Sequence, residues 1–292
     1  MRLPSDADAS GRDFRGEEIE LLKEVLESGT LNCTKGKQVA TFKKEFAAQY
    51  GVGYCRAGPN GTAACHTAIA ALHLEEGDEV ITTPITDIGA ITPILYERAI
   101  PVFADVDPVS LNVTPESVLQ RFTPRTRAIF ATHIFGNPCD TEGIVAVAKA
   151  RNIPVIEVCA QSYMAKQNGR LTGTIGDIGA FSMQQGKHMT TGEGGMVITN
   201  DPHYARQMVL FTDKAWGYGD PNPDHYFLAL NYRMPELVGA VARAQLKKLE
   251  SVVERRQRMA AYMEPIAGKC PWDPNPETVK WLYSCLLEIP VF

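Results

Sequence analysis

The chain has 292 residues, 45% of them hydrophobic and 22% charged, which is the composition of a globular protein with room for one large domain and a smaller one. Lys and Arg number 29 against 34 Asp and Glu, the formal net charge is −5, and no basic block stands out, so neither nucleic acid nor an anionic membrane is expected as a partner. The apolar stretches have the length of strands rather than of membrane spans, and the polar N-terminal stretch has no apolar signal core, so we expect a cytoplasmic protein.

Strand and helix patterns alternate along the chain. Helical periodicity predicts helices at 17–28, 38–50, 61–72, 91–96, 142–151 and 235–262. Short apolar runs predict strands at 79–82, 101–103, 127–133, 154–159, 179–183 and 195–199, with the last two facing each other. This alternation is typical of an α/β protein whose central sheet is mostly parallel and is covered by helices on both faces. Functional residues are then expected in the loops at the carboxyl ends of the strands.

The C-terminal part of the sequence suggests a second, smaller domain. We divide the chain into a large domain, 1–250, and the start of a small C-terminal domain, 251–292. The run WLYSCLLEIPVF at 281–292 is strongly apolar and strand-like, and it needs partners to cover it. It pairs either with the large domain or a dimer partner, or it belongs to a truncated second domain, which is the interpretation we favour.

The cysteines are scattered, and no two of them form a CxxC pair. They are Cys33, Cys55, Cys65, Cys139, Cys159, Cys270 and Cys285. The histidines show no metal-ligand spacing either. We therefore expect buried thiols rather than disulfides or a metal site.

A glycine-rich turn, GPNGTAA at 58–64, opens the predicted helix at 61–72. Backbone N–H groups at a helix start favour an anion, and the hydroxyl of Thr62 adds a donor next to Gly61. Taken alone, such a motif is more often a plain turn with an N-cap.

The strand VIEVC at 155–159 ends just before Gln161, where side chains face the ligand crevice of an open α/β sheet. Alternation along the strand places Val158 on the face opposite Glu157 and Cys159. Gln161 is a hydrogen-bond donor in this crevice or, taken alone, a solvated loop amide. His133, at the end of another strand, is equally well interpreted as a polar group of the pocket or as a satisfied core histidine.

The stretch GDIGAFSMQQGKHMTTGEGGMVITN at 176–200 places Lys187 between two strands and just before a glycine-rich segment. This arrangement is expected of a Schiff-base lysine, whose amine must be partly desolvated to be neutral and nucleophilic. Alone, Lys187 reads as a surface lysine of a loop. Together with the anion site at Gly61 and Thr62, it suits pyridoxal phosphate (PLP).

These motifs resemble those of the DegT/DnrJ/EryC1/StrS sugar aminotransferases, which are PLP-dependent enzymes of fold type I. The resemblance covers residues 13 to about 262, through SGTLNCTKG, GPNGTAA, ADVDP, HIFGNPCD, VIEVCAQ, FSMQQGKHMTTGEGG and LNYRMPEL. FSMQQGK followed by TTGEGG is highly specific to the family. The resemblance implies that 1–250 is the PLP-binding domain and that the protein is a homodimer with shared active sites.

The resemblance also assigns cofactor-binding residues, which are Gly61, Thr62, Ile88, Val158, Gln161, Ser182, Lys187 and Asn231. It implies that Lys187 is the catalytic Schiff-base lysine, which shuttles a proton between cofactor and substrate. Ser182, with Gly61 and Thr62, would bind the phosphate, and Gln161 would bind the phenolic oxygen. Asn231, just before the long helix, would reach the phosphate of the neighbouring subunit.

Two positions depart from the family pattern. Relatives carry an aspartate where this chain has Val158, and that aspartate keeps the pyridine nitrogen protonated so that the ring acts as an electron sink. Valine cannot do so, and we expect slow or absent transamination even with PLP bound. Many relatives also place an aromatic ring over PLP in the segment at 84–88, where Ile88 would pack apolar surface with weaker stacking.

The implied reaction transfers an amino group from glutamate or glutamine to a keto-sugar or a keto-cyclitol. A PLP-dependent sugar dehydratase is an alternative on the same fold, but such relatives have histidine in place of the lysine, so Lys187 argues against it. A catalytically impaired PLP-binding or regulatory homologue is a further alternative, which Val158 keeps open.

Overall fold

The computed structural model describes residues 12–267 and 278–280. The helices are α1 Gly16–Ser28, α2 Gln38–Tyr50, α3 Gly61–Ala70, α4 Thr92–Tyr96, α5 Pro115–Leu119, α6 Thr141–Lys149, α7 Pro202–Thr212 and α8 Glu236–Ala267. The strands are β1 Tyr54–Gly58, β2 Glu79–Thr82, β3 Ile100–Phe103, β4 Thr126–Thr132, β5 Val155–Val158, β6 Lys166–Gln167, β7 Arg170–Leu171, β8 Ile178–Ser182 and β9 Gly195–Thr199. None of the helices in these ranges is both long and apolar enough to cross a membrane.

Seven of the strands form one sheet in the order β1-β9-β8-β5-β4-β2-β3. Four of its neighbouring pairs are parallel, and β9 is antiparallel to both β8 and β1. The predicted pairing of the last two strands is confirmed, as is the mostly parallel α/β sheet. All of the parallel strands end at the same edge, and β9 starts there.

Helices cover both faces of the sheet, because alternate residues of the strands bury their side chains on opposite sides. Ile156 and Val158 of β5 pack in the core beneath α3, α4 and α7. Val155 and Cys159 pack on the other face, against the cores formed with α5 and α6 and with α2 and α8. The sheet edge that carries the strand ends therefore lies between two well-filled layers.

The long helix α8 is tied to α2 at its first residue. The Glu236 carboxylate accepts hydrogen bonds from the backbone N–H groups of Gln38 at 2.6 Å and of Val39 at 3.1 Å. A carboxylate at a helix N-terminus also interacts favourably with the helix dipole. Helix α8 runs without a break across position 250, and most of the segment assigned to a second domain, including 281–292, lies outside the described residues. The second domain stays a proposal.

Candidate active site

The main cavity of the described chain opens at the carboxyl edge of the sheet and has a volume of about 960 Å³. Thr132, Val158 and Ser182, the last residues of β4, β5 and β8, line its floor. Its other lining residues include Asn60, Gly61, Thr62, His66, Thr86, Asp87, Tyr96, Gln161, Lys187, Glu193 and Tyr232. Six of the eight cofactor residues predicted from sequence thus lie around one cavity.

One wall of the cavity is the start of α3, and it presents hydrogen-bond donors. The Asn60 side chain caps the helix by accepting from the Ala63 N–H at 2.8 Å, which leaves the N–H groups of Gly61 and Thr62 for an anion. Gly61 is required by packing, because a Cβ there would lie 2.5 Å from the Ser182 Cβ and 2.8 Å from its Oγ. The helix start and the Ser182 hydroxyl therefore face the same small volume.

Lys187 is half-buried in the loop between β8 and β9, and hydrogen bonds fix the backbone on both sides of it. The Lys187 N–H donates to the Gln184 carbonyl at 2.9 Å, and the Met183 N–H donates to the Gly194 carbonyl at 2.7 Å at the base of the loop. From α8, Arg256 donates to the Gly186 carbonyl at 3.1 Å and to the Lys187 carbonyl at 3.3 Å. The lysine is thus held at a defined point of the cavity wall.

Gln161 is buried, and its orientation is set by one backbone group. Its Oε1 accepts a hydrogen bond from the Phe135 N–H at 2.6 Å, so its Nε2 is the atom left to donate. The side chain lines the cavity, and it therefore offers an N–H donor to a bound acceptor.

Val158 faces the cavity, and its neighbour Glu157 faces away, as predicted from strand alternation. The Glu157 carboxylate accepts from His133 Nε2 at 3.0 Å and from the N–H groups of Ile175 at 2.8 Å and Gly176 at 2.7 Å. Burial alone would raise the pKa of Glu157, but His133 and the N–H of Gly176 hold that pKa below its ordinary value. The end of β5 consequently presents no carboxylate to the cavity.

His133, Glu157 and Cys159 are close enough together to hold a metal ion, and all three are buried. Their atoms are already engaged, since the Cys139 N–H donates to His133 Nδ1 at 3.1 Å while Nε2 faces Glu157. Burial also raises the pKa of the Cys159 thiol to about 11, so a thiolate ligand is disfavoured. Of the two interpretations of His133, the satisfied core histidine is confirmed.

The structure does not bring Ile88 to the cavity, which corrects its assignment to the cofactor site. Asp87 caps a short 3-10 turn by accepting from the Gly89 N–H at 2.8 Å. This turn places Asp87 and Gly89 at the cavity and leaves the Ile88 side chain 65% exposed outside it. The local turn, rather than the apolar character of the residue, decides which side chain reaches the site.

Asn231 lies in a separate recess of about 300 Å³, beside Asn32, Cys33 and Arg233. Its Oδ1 accepts from the Arg233 N–H at 3.4 Å, while its neighbour Tyr232 lines the main cavity. A position outside the cavity of its own chain is compatible with the predicted role of Asn231 at the active site of a neighbouring subunit. That role stays a prediction.

Several cavity residues were missed by sequence reasoning. His66 lies one helical turn after Thr62, and its Nε2 contacts Glu97 Oε1 at 2.8 Å while its Nδ1 contacts the Tyr232 hydroxyl at 3.2 Å. The i, i+4 spacing from Thr62 was a signal for His66. Thr132 is the last residue but one of the strand predicted at 127–133, and the rule that ligands bind at carboxyl ends would have found it. Tyr232 is brought in by tertiary folding alone.

A sequence model of the DegT/DnrJ/EryC1/StrS aminotransferase family matches residues 12–286. The chain is 38% identical over 252 residues to GDP-perosamine synthase of Escherichia coli O157:H7, which covers 84% of this chain and 67% of the relative. It is 32% identical over 265 residues to L-glutamine:2-deoxy-scyllo-inosose aminotransferase of Streptoalloteichus tenebrarius, which covers 86% of this chain and 62% of the relative. The chain thus spans about two thirds of the length of these relatives.

Solved structures give the same answer. An aminotransferase from Psychrobacter cryohalolentis superposes with a TM-score of 0.86 at 35% sequence identity, over 92% of this chain and 74% of that one. The predicted fold class and the predicted enzyme class are both confirmed. The chain belongs to the DegT/DnrJ/EryC1/StrS aminotransferase family.

Proposed function

We propose that this chain uses PLP to transfer an amino group from glutamate or glutamine to a keto-sugar or a keto-cyclitol. The observation that carries the proposal is the single cavity in which Lys187, Ser182, Gln161 and the start of α3 come together. An amine, a cluster of hydrogen-bond donors suited to a phosphate and an amide N–H donor lie at one edge of the sheet. They match the groups of PLP that need partners.

The residues present fit PLP on structural grounds. The close approach of Gly61 to Ser182 forms a cradle that any side chain at position 61 would fill. The helix N–H groups and the hydroxyls of Ser182 and Thr62 would hold the phosphate, the amine of Lys187 would bond the aldehyde carbon, and Gln161 Nε2 would donate to the phenolic oxygen. Bound PLP supplies an electron sink that makes removal of a proton from the amino-acid carbon feasible.

The chain itself would contribute positioning and proton transfer. With PLP bound, Lys187 Nζ would be the basic group at the cavity wall that moves a proton between the substrate carbon and the cofactor. Arg256 would hold the backbone of that lysine in register through the Gly186 and Lys187 carbonyls. The buried floor formed by Thr132 and Val158 would exclude water from the reacting face.

The substrate class is supported by what the relatives are named for. GDP-perosamine synthase makes an amino sugar, and the inosose aminotransferase takes its amino group from L-glutamine. A keto-sugar or keto-cyclitol acceptor with glutamate or glutamine as donor is common ground between them. We also propose a homodimer with shared active sites, supported by the position of Asn231 outside the cavity of its own chain.

Val158 supports a second candidate, a PLP-binding homologue with slow or no turnover. The cavity wall at the end of β5 is apolar, and Glu157 is committed to His133 on the other face of the sheet. Such a protein would bind the cofactor through the same residues but would lack a carboxylate for the ring nitrogen.

Absorbance and covalent trapping test the proposal. The protein loaded with PLP should show a Schiff-base band that shifts on adding glutamate or glutamine, and borohydride reduction should fix the cofactor on Lys187, as read by peptide mass spectrometry. Lys187→Ala should lose both signals, whereas Lys149→Ala, at an exposed lysine of α6, should keep them. A stable band without a shift would favour the second candidate, and the absence of any adduct on Lys187 would overturn the cofactor assignment.

A further inference from the structure

The hydroxyl of Thr132 is buried, lines the main cavity and lacks a hydrogen-bond partner within the described chain. The residue is only 4% exposed. Other buried side chains with an unpartnered polar atom are Asp13, Thr82, Tyr163 and His188, and none of these lines the cavity. Native proteins pair nearly all of their buried polar atoms with a hydrogen-bond partner. An unpaired hydroxyl that faces a ligand cavity therefore indicates that the bound ligand supplies the missing partner.

The strand register places this hydroxyl beside Val158. Thr132 and Val158 are direct partners in the parallel pair β4–β5, and side chains at partner positions lie on the same face of a sheet. On the opposite face, the next residue His133 is committed to Glu157. The end of β4 thus contributes a polar atom to the part of the cavity floor where β5 contributes only methyl groups.

We propose that Thr132 donates a hydrogen bond to the pyridine nitrogen of PLP and that this nitrogen is unprotonated in this protein. The inference rests on the proposed function, since it needs PLP in the cavity with its ring nitrogen at the Val158 position. An aliphatic hydroxyl is a far weaker acid than a pyridinium, so the proton stays on the threonine oxygen. Hydrogen bonds to the ring nitrogen tune the electronics of the cofactor, and a neutral nitrogen withdraws electrons less than a protonated one.

The other charged or titratable groups around the cavity either have hydrogen-bond partners within the chain or lie on elements other than β4 and β5. The Asp87 carboxylate caps the turn at Gly89, and His66 lies between Glu97 and Tyr232. Lys187 and Glu193 belong to the β8–β9 loop. If one of these groups protonated the ring nitrogen instead, the loaded protein would contain a pyridinium, and the proposal would be overturned.

Nitrogen NMR of protein loaded with ¹⁵N-ring-labelled PLP separates these states without any turnover. A neutral pyridine nitrogen resonates far downfield of a pyridinium, and a donated hydrogen bond moves it partway upfield. We expect the hydrogen-bonded neutral position in the wild type, a further downfield shift in Thr132→Val, and no change in Thr132→Ser. Val158→Asp should give the pyridinium position. A pyridinium signal in the wild type, or an unchanged signal in Thr132→Val, would overturn the proposal.

Cofactor affinity gives a second readout, and Thr82 provides a matched control. Thr82 is another buried strand-end threonine with an unpartnered hydroxyl, but it does not line the cavity. Loss of one hydrogen bond should weaken PLP binding about three- to tenfold in Thr132→Val, while Thr82→Val should keep wild-type binding. Equal losses in both variants would mark a general packing effect and contradict the proposal. Failure to form the borohydride adduct on Lys187 in the wild type would instead overturn the proposed function together with this inference.

Discussion

At the scale of single residues, one position in β5 decides what chemistry the cavity can support. Val158 and Glu157 are neighbours in sequence, yet one faces the cavity and the other is buried on the opposite face. Strand β5 therefore carries a carboxylate that is unavailable to a ligand. Turning the Glu157 side chain toward the cavity would leave the buried N–H donors of His133, Ile175 and Gly176 without an acceptor.

Val158→Asp should raise aminotransferase turnover at least about tenfold, equivalent to about 1.4 kcal/mol of transition-state stabilisation, because the new carboxylate can keep the ring nitrogen protonated. The neighbouring Thr132 hydroxyl is available to hydrogen-bond that carboxylate. Steady-state kinetics with glutamate or glutamine as donor measures the effect. Val158→Asn, similar in size but uncharged, is the control, and equal rates in the wild type and the aspartate variant would disprove the reasoning.

Individual site residues were predictable where they sit at the ends of strongly patterned elements. Ser182, Gln161 and Gly61 follow or precede apolar runs whose period is clear from the sequence, so their common edge could be inferred. Ile88 was misplaced because the cap formed by Asp87 starts a 3-10 turn that no periodicity reveals. Hydrogen-bond satisfaction, which marks Thr132, is a property of the folded chain.

At the scale of elements, the sequence predicted most of the sheet and its covering helices and missed α5, α7, β1, β6 and β7. The predicted helices correspond to α1, α2, α3, α4, α6 and α8, and the predicted strands to β2, β3, β4, β5, β8 and β9. Helix α7 was missed although its buried residues Ala205, Met208 and Phe211 recur at helical spacing. Strand β1 was missed because it carries Arg56, whose Nε donates to Thr212 Oγ1 at 2.5 Å and is thereby accommodated beside α7.

Helix α8 acts on the lysine loop through Arg256. Arg256→Ala should release the Gly186 and Lys187 carbonyls, and we expect faster amide hydrogen exchange at residues 184–192 and slower cofactor attachment to Lys187. Two hydrogen bonds from a charged donor correspond to about 3 kcal/mol of local stability. Arg255→Ala removes the adjacent exposed arginine and should leave the loop unchanged. Equal exchange rates in the two variants would show that the guanidinium does not hold the loop.

At the scale of the whole molecule, burial of His188 links stability to pH. Burial, with a smaller contribution from the charge of Arg256, lowers the pKa of His188 from 6.5 to about 3, and its Nε2 donates to the Val279 carbonyl at 3.1 Å. Below pH 6.5 the unfolded chain binds a proton at this position that the folded chain excludes. The contribution of His188 to the free energy of unfolding is therefore fully present above pH 6.5 and is lost as the pH falls toward 3.

The free energy of unfolding of the wild type should thus fall by up to about 1.4 kcal/mol per pH unit below pH 6 on account of His188 alone. His188→Gln keeps a donor for the Val279 carbonyl but cannot titrate. The slope of its unfolding free energy against pH should therefore be smaller than that of the wild type by the contribution of one proton. Denaturant unfolding between pH 7 and pH 4 measures the slopes, with exposed His73→Gln as control. Identical slopes in the two variants would contradict the assignment.

The position of Asn231 outside the cavity of its own chain leads to a prediction about active sites that are shared between two chains. In a heterodimer of Lys187→Ala and Asn231→Ala chains, a shared-site arrangement assembles one complete site, from the lysine of one chain and the asparagine of the other. An equimolar mixture after subunit exchange should therefore show about a quarter of wild-type turnover, which is more than the mean of the two variants assayed alone. Gln161 lies in the same cavity as Lys187, so a mixture of Lys187→Ala with Gln161→Ala cannot assemble a complete site and should recover nothing. If the Asn231→Ala mixture also recovered nothing, Asn231 would serve its own chain, and its placement in the separate recess would need another explanation.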